Sequence, residues 1–443
     1  MPVSSPGAEK PEATLVSDYS GNARTNYLRD FLLGALPLLF CIQFLAWLTF
    51  LPNALRGHAD FRQLYSAGYI LRTGHSHELY DYRLQRQIQD SLVSDDERAL
   101  PFIRPAYQAL LFAPLSLLPY RNAYLAFMIV NFGLLALCFA LLHDNTANLR
   151  NEWKGLPVAL FLVFYPIALA IMQGQDSILL VACLCAALVC LQRGRDLSAG
   201  MLVGMGLFKI QIVIPIALLF LFWRRWRFSA GFTMATFVLA AISIIIAGWV
   251  QTVVFVRSLL SVGAGIDPTD PIKFPLRVTL MANLRGLIAG LFAGHITATW
   301  IQAATALGSI FVLTWVAARV HANAKREELF LIAVVTSVVV SYYIFIHDLA
   351  VLLIPVLLTL NRFISRQYDD ALSRFAKYNA ALMLVAPMLV FVIPGHFYLV
   401  SLLICGFLFL LVQSCESDVI AVAAGIDFPA RPEPKLKSKL KCR

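Results

Sequence analysis

Apolar runs long enough to cross a bilayer recur along this 443-residue chain, at 30–51, 122–142, 156–172, 177–191, 229–248, 297–317, 329–346, 378–394 and 397–413. A helix crossing the roughly 30 Å hydrocarbon layer needs about 20 such residues, and inside lipid each backbone N–H and C=O must find its partner within the chain. The chain therefore reads as an all-α polytopic membrane protein. Composition agrees, with 59% hydrophobic residues and only 14% charged.

The charges between the runs set a topology. Residues 197–223 are bounded by Arg193 and Arg195 on one side and by Arg224, Arg225 and Arg227 on the other. Positive charge marks cytoplasmic ends, so this run enters and returns, as two short helices meeting at "FKIQ". That turn keeps the Lys209 ammonium out of lipid. The same reasoning applies to 329–360, with Lys325 and Arg326 before it, Arg362 and Arg366 after it, and His347 and Asp348 at its turn. The expectation is about twelve transmembrane helices with both termini cytoplasmic. Short basic loops at 192–196, 223–228, 318–328 and 361–377 then face the cytoplasm, and two long loops, 52–121 and 249–296, containing amphipathic helices, lie outside. Residues 1–27 read as a disordered cytoplasmic tail before an uncleaved first helix, 28–413 as the transmembrane domain, and 414–443 as a basic cytoplasmic tail.

The net charge of +10 sits in the short connections and in the tail "KLKSKLKCR", which fits the positive-inside pattern and anionic lipid and leaves no call for nucleic acid. The eight cysteines have no metal-ligand spacing and read as free thiols.

In this topology the unusual polar residues gather on the outer side. Asp60, Arg62, His75 and His77 fall in the first long loop, which Arg104 closes. Gln173, Gln175 and Asp176 of "QGQDS" cap an outer helix end. Lys209, Gln211, His347 and Asp348 sit at the two turns, and Arg277, Asn283 and Arg285 lie in the second long loop. Each has a structural alternative. Asp60 precedes Phe61, Leu64, Tyr65 and Tyr69 at helical spacing, so it fits a helix N-cap as well as a base. Asp176 with Ser177 fits a cap too, and Lys209 could snorkel to the interface.

Carboxylates beside lysine, histidine and arginine at a bilayer boundary suit sugar transfer from a lipid phosphate. A carboxylate takes the acceptor proton and the cations stabilise the departing phosphate. No Gly-rich phosphate loop suggests a nucleotide donor.

The blocks "DFRQLYSAGYILRTGHSHELYD", "RPAYQALLFAPLSLLPYRNAYLAFMIVN", "QGQDSILLVACLCAALVCLQRGRDLSAGMLVGMGLFKIQ" and the late "HDL", in this order over residues 30–360, resemble glycosyltransferase family 87. These are polyprenyl-phosphate-dependent membrane enzymes of GT-C type that include mannosyltransferases. The resemblance implies an inverting transfer of a sugar, most often mannose, to a hydroxyl of a lipid-linked or cell-envelope glycan on the outer face of the cytoplasmic membrane. It implies Asp60 as catalytic base and Lys209 and His347 toward the donor phosphate, and the gathering on the outer side adds Arg104 to the phosphate-binding set. Arg62, Tyr65, Gln175, Asp176, Gln211, Arg285 and Asp348 are then expected around the substrates. The expected partners are a polyprenyl-phosphate sugar donor, a glycan or glycolipid acceptor and the bilayer. Some GT-C enzymes use a divalent cation, for which Asp60, Asp176 and Asp348 are the available carboxylates. A lipid-linked sugar flippase or transporter, and a membrane scaffold, are the rival readings. The first has no internal repeat to support it, and the second leaves the gathered ionisable residues unexplained.

Overall fold

The computed structural model describes residues 19–95, 98–261, 277–292, 294–295, 297–364 and 371–423. Most of the two expected tails, the middle of the 249–296 loop and part of the 361–377 loop lie outside the described residues. Every regular element among the described residues is helical. The first helix, α1 (Tyr19–Asn53), begins ahead of the expected boundary, so residues 19–27 stand in a helix. A loop subdomain follows, built from α2 (Phe61–Arg72), α3 (Tyr82–Leu92) and α4 (Ala106–Phe112).

The remaining helices form the bundle: α5 (Tyr120–Leu141), α6 (Ala147–Glu152), α7 (Leu156–Val163), α8 (Tyr165–Met172), α9 (Ser177–Gln192), α10 (Asp196–Met205), α11 (Ile210–Phe222), α12 (Trp226–Ser261), α13 (Leu284–Leu291), α14 (Ala298–Arg319), α15 (Arg326–Val340), α16 (Leu353–Ile364), α17 (Ala371–Val385) and α18 (Val400–Ala423). Two expected runs differ in detail. The 156–172 run is split into α7 and α8 beside Pro166, which lacks the N–H that would continue the helix. The 229–248 run carries on to Ser261, through a break at Gly248 (φ 81°, ψ 165°).

Among the described residues eight stretches are long and apolar enough to cross a membrane, and the chain is a multi-pass membrane protein. One of the eight, Asp196–Phe222, folds back on itself. A Cβ added at Gly206 would lie 2.9 Å from Val213 Cγ1, whereas seven residues along a straight helix are about 10 Å apart. The reversal falls at Lys209, whose φ and ψ of −118° and 60° leave the helical region. Helices α15 and α16 also reverse, since the Arg362 guanidinium near the end of α16 lies 3.0 Å from Glu328 near the start of α15. Both hairpins thus put their open ends among the basic connections and their tips at the other end.

Small residues let these elements approach closely. Gly200 of α10 faces the Phe228 carbonyl and Gly231 of α12 faces the Leu197 carbonyl, so closely that a Cβ would lie about 2 Å from either oxygen. The loop subdomain has its own core. Phe61 is fully buried and stacks on Phe127 with centroids 5.4 Å apart. Tyr65, Phe112, Tyr120 and Tyr124 surround the same ring.

Candidate active site

The site grows from "QGQDS", the four residues between α8 and α9 with the first residue of α9. Helix α8 ends in a turn closed by Gly174 N–H to the Ile171 carbonyl at 3.0 Å and Gln175 N–H to the Ala170 carbonyl at 2.8 Å. This is a Schellman end, with Gly174 at φ 58° in the left-handed position. Glycine is required there twice over, because a Cβ would also meet Phe61 Cβ at 2.7 Å.

The turn binds four other segments. Gln173 takes the main chain of the first loop: its carbonyl accepts from Phe61 N–H at 2.9 Å and its side chain from Asp60 N–H at 3.1 Å. Gln175 Nε2 donates to Asp60 Oδ2 at 2.7 Å while its Oε1 accepts from Arg104 at 3.1 Å. The Asp176 carboxylate accepts from Gln108 and pairs with Arg104 at 2.8 Å and Lys209 at 3.1 Å. Ser177 Oγ donates to Asp348 at 3.1 Å.

The hairpin tips close the cluster. Lys209 Nζ lies 2.7 Å from Asp348 Oδ1, which also has His347 Nε2 at 3.4 Å, and the Phe345 N–H donates to Asp348 Oδ2 at 3.2 Å. Side-chain exposure is 3% for Lys209 and 1% for both Asp176 and Asp348, against 12% for Arg104. Burial works against the Arg104 charge, but Asp176 and further nearby groups more than offset it, and the guanidinium is held above its ordinary pKa.

Neither aspartate caps a helix through its side chain. Asp60 and Asp176 both hold N-cap positions without a side-chain cap bond, because their carboxylates are turned to Gln175 and to the cations. Asp60 is half-buried, the most open carboxylate of the three. Lys209 does not snorkel, since it is buried between two carboxylates.

Other expected site residues stand apart. Arg62 is buried and donates to the Arg98 carbonyl. Tyr65 donates to the Leu118 carbonyl at 2.9 Å within the aromatic core of the loop. Arg285 lies over the Tyr342 ring, 4.1 Å from its centroid, and donates to the Tyr342 carbonyl at 3.3 Å, bracing the chain that leads to His347. Gln211 is buried two residues beyond Lys209 with neither amide atom bonded to protein. Gln108 was not singled out in the sequence, where it is a lone amide in the apolar stretch after Pro105.

As for a metal, among the described residues no group of three or more His, Cys, Asp or Glu side chains could hold one. Lys209 Nζ lies 3.1 Å from Asp176 Oδ1 and 2.7 Å from Asp348 Oδ1.

The family model described as glycosyltransferase family 87 matches residues 102–342, more than half of the chain. The chain belongs to glycosyltransferase family 87. The matched stretch of this glycosyltransferase carries Arg104, Gln108, the "QGQDS" turn and Lys209. Asp60 precedes it, and His347 and Asp348 follow it. No curated protein and no solved structure matches the chain.

Proposed function

We propose that this glycosyltransferase moves a sugar, mannose being the first candidate, from a polyprenyl-phosphate donor to a hydroxyl of a lipid-linked or cell-envelope glycan. In this reading the basic ends of the hairpins face the cytoplasm, as do both termini, and the hairpin tips face outside. The hairpins and the shorter apolar helices bring the crossings to about twelve, in a GT-C-like arrangement.

The observation that carries the proposal is the pairing of a half-buried carboxylate, Asp60, with a buried cationic centre through one amide, Gln175. Asp60 takes the proton of the acceptor hydroxyl. The acceptor oxygen then attacks the anomeric carbon from the face opposite the phosphate, and the bond from that carbon to the phosphate oxygen breaks with its electrons on the oxygen. Inversion follows from the single displacement. Arg104, the more open of the two cations, meets the phosphate first. Lys209 and His347 lie behind it and reach the phosphate once the hairpin tips part. Cations fixed between apolar helix ends favour a donor that stays in the membrane, because its lipid chain and its charged group are then accommodated together. Gln211 and Asp348 are assigned to the sugar side of the same centre.

The test is to incubate purified protein with polyprenyl-phosphate mannose and membranes carrying the acceptor. Release of polyprenyl phosphate with growth of a glycan supports the proposal. An intact donor, with every other polyprenyl-phosphate sugar tested likewise unconverted, contradicts it.

A further inference from the structure

Resting on Asp60 as the base, we infer that Gln175 is the positioning residue that decides which Asp60 oxygen meets the acceptor hydroxyl. The orientation of its amide is dictated by chemistry. An Arg104 guanidinium has only donors, so the amide oxygen must face it, and the NH2 group must then face Asp60. The two contacts, 3.1 Å to Arg104 and 2.7 Å to Asp60 Oδ2, are both made by a side chain that is 2% exposed.

This leaves Asp60 with one oxygen committed. Oδ2 accepts from Gln175, while Oδ1 has no protein hydrogen bond among the described residues and is the oxygen left to take a proton. The backbone on which the carboxylate turns is fixed by the same motif, through Gln173 to the N–H groups of Asp60 and Phe61. Substrate contact, the expected role of Gln175, is a poorer fit, because its oxygen and its nitrogen are each already engaged by protein.

A second consequence concerns the order of events. The amide is the direct hydrogen-bonded link between the base and Arg104, the cation proposed to receive the phosphate. Moving the guanidinium toward a donor phosphate would therefore be felt at Asp60 through the Gln175 oxygen.

The experiment compares Gln175→Leu, Gln175→Glu and Asp60→Asn in the full-length protein, with polyprenyl-phosphate mannose as donor and membranes of a strain lacking the gene as acceptor source. Released polyprenyl phosphate and donor binding are measured separately. Misplacing a catalytic group by about 1 Å costs roughly a hundredfold, so Gln175→Leu is expected to lower transfer by about tenfold to a hundredfold with donor binding retained. Gln175→Glu, nearly the same size, is expected to lose more, because it sets a carboxylate against Asp60 Oδ2. A space-filling role predicts the two variants to behave alike. Equal activity of both variants, wild-type transfer by Gln175→Leu, or loss of donor binding in step with transfer overturns the inference. An inactive Asp60→Asn beside a fully active Gln175→Leu overturns it while leaving the proposed function standing. A fully active Asp60→Asn removes both.

Discussion

The two ends of the helix bundle use the same side chains to opposite purposes. At the basic end, Arg326 and Asp196 pair at 2.8 Å and Arg319 and Glu416 at 3.5 Å, but the arginine side chains are 43% and 58% exposed. At the other end, Lys209 bridges Asp176 and Asp348 with all three side chains almost fully enclosed. Exposed pairs contribute about 0–1 kcal/mol and tie connections together loosely. Buried ones must overcome the loss of water around each ion, so they are weak evidence for stability by themselves. Their concentration at a single place, around one turn with a left-handed glycine, points to chemistry. In the proposed function the basic end orients the protein, and the enclosed end acts.

This contrast can be broken by mutation, most severely at the enclosed end. Asp348→Ala strands Lys209 beside one carboxylate and frees the turn at Phe345. Breaking a buried pair by removing one partner costs about 3–5 kcal/mol, so the variant is expected to lose much of its thermal stability in detergent. A melting temperature equal to wild type would mean the cluster is hydrated and loosely held.

Lys209→Met keeps the apolar stem and deletes the charge. Charge-assisted hydrogen bonds are worth about 1.5–3 kcal/mol, and the expected outcome is a corresponding loss of donor turnover together with a lower melting temperature, because Asp176 and Asp348 lose their shared partner. Turnover at the wild-type rate would reduce Lys209 to a structural tie between the hairpins.

Gly174→Ala tests the turn. A non-glycine residue in the left-handed region costs about 1–2 kcal/mol, and the contact with Phe61 adds to it. The variant should lose stability and lose transfer disproportionately, since Asp60 is held by the residues on either side of Gly174. The smallest effect is expected at the basic end: Arg326→Ala should change stability by about 0–1 kcal/mol and leave transfer untouched. A loss of transfer there would show that the two ends communicate.

Much of this arrangement was legible before the coordinates. An apolar run with arginines at both ends has to return to the side it came from, so the hairpin at Lys209 followed from electrostatics alone, as did the one at Asp348. The partners were not legible. A carboxylate directly before an apolar helix reads the same whether it caps that helix or pairs with a lysine 33 residues on, and only the packing of α9 against the hairpin tips turns Asp176 toward Lys209. Arg62 and Tyr65 follow Asp60 in sequence and were expected with it around the substrates. A helical step of 100° per residue carries them instead to the face that packs against 98 and 118. Gln108 went unnoticed because a single amide in an apolar helix has no periodic signature.

The central claim, that the enclosed cluster exists to serve Asp60, is tested most directly by Asp60→Asn. The substitution preserves shape and removes basicity, and loss of a general base costs about a hundredfold to ten-thousandfold in rate. With the purified variant, polyprenyl-phosphate mannose and acceptor membranes, the account predicts a folded protein that binds donor and transfers sugar at least about a hundredfold more slowly than wild type. Transfer at the wild-type rate would contradict it and send the search for the base to Asp176 or Asp348.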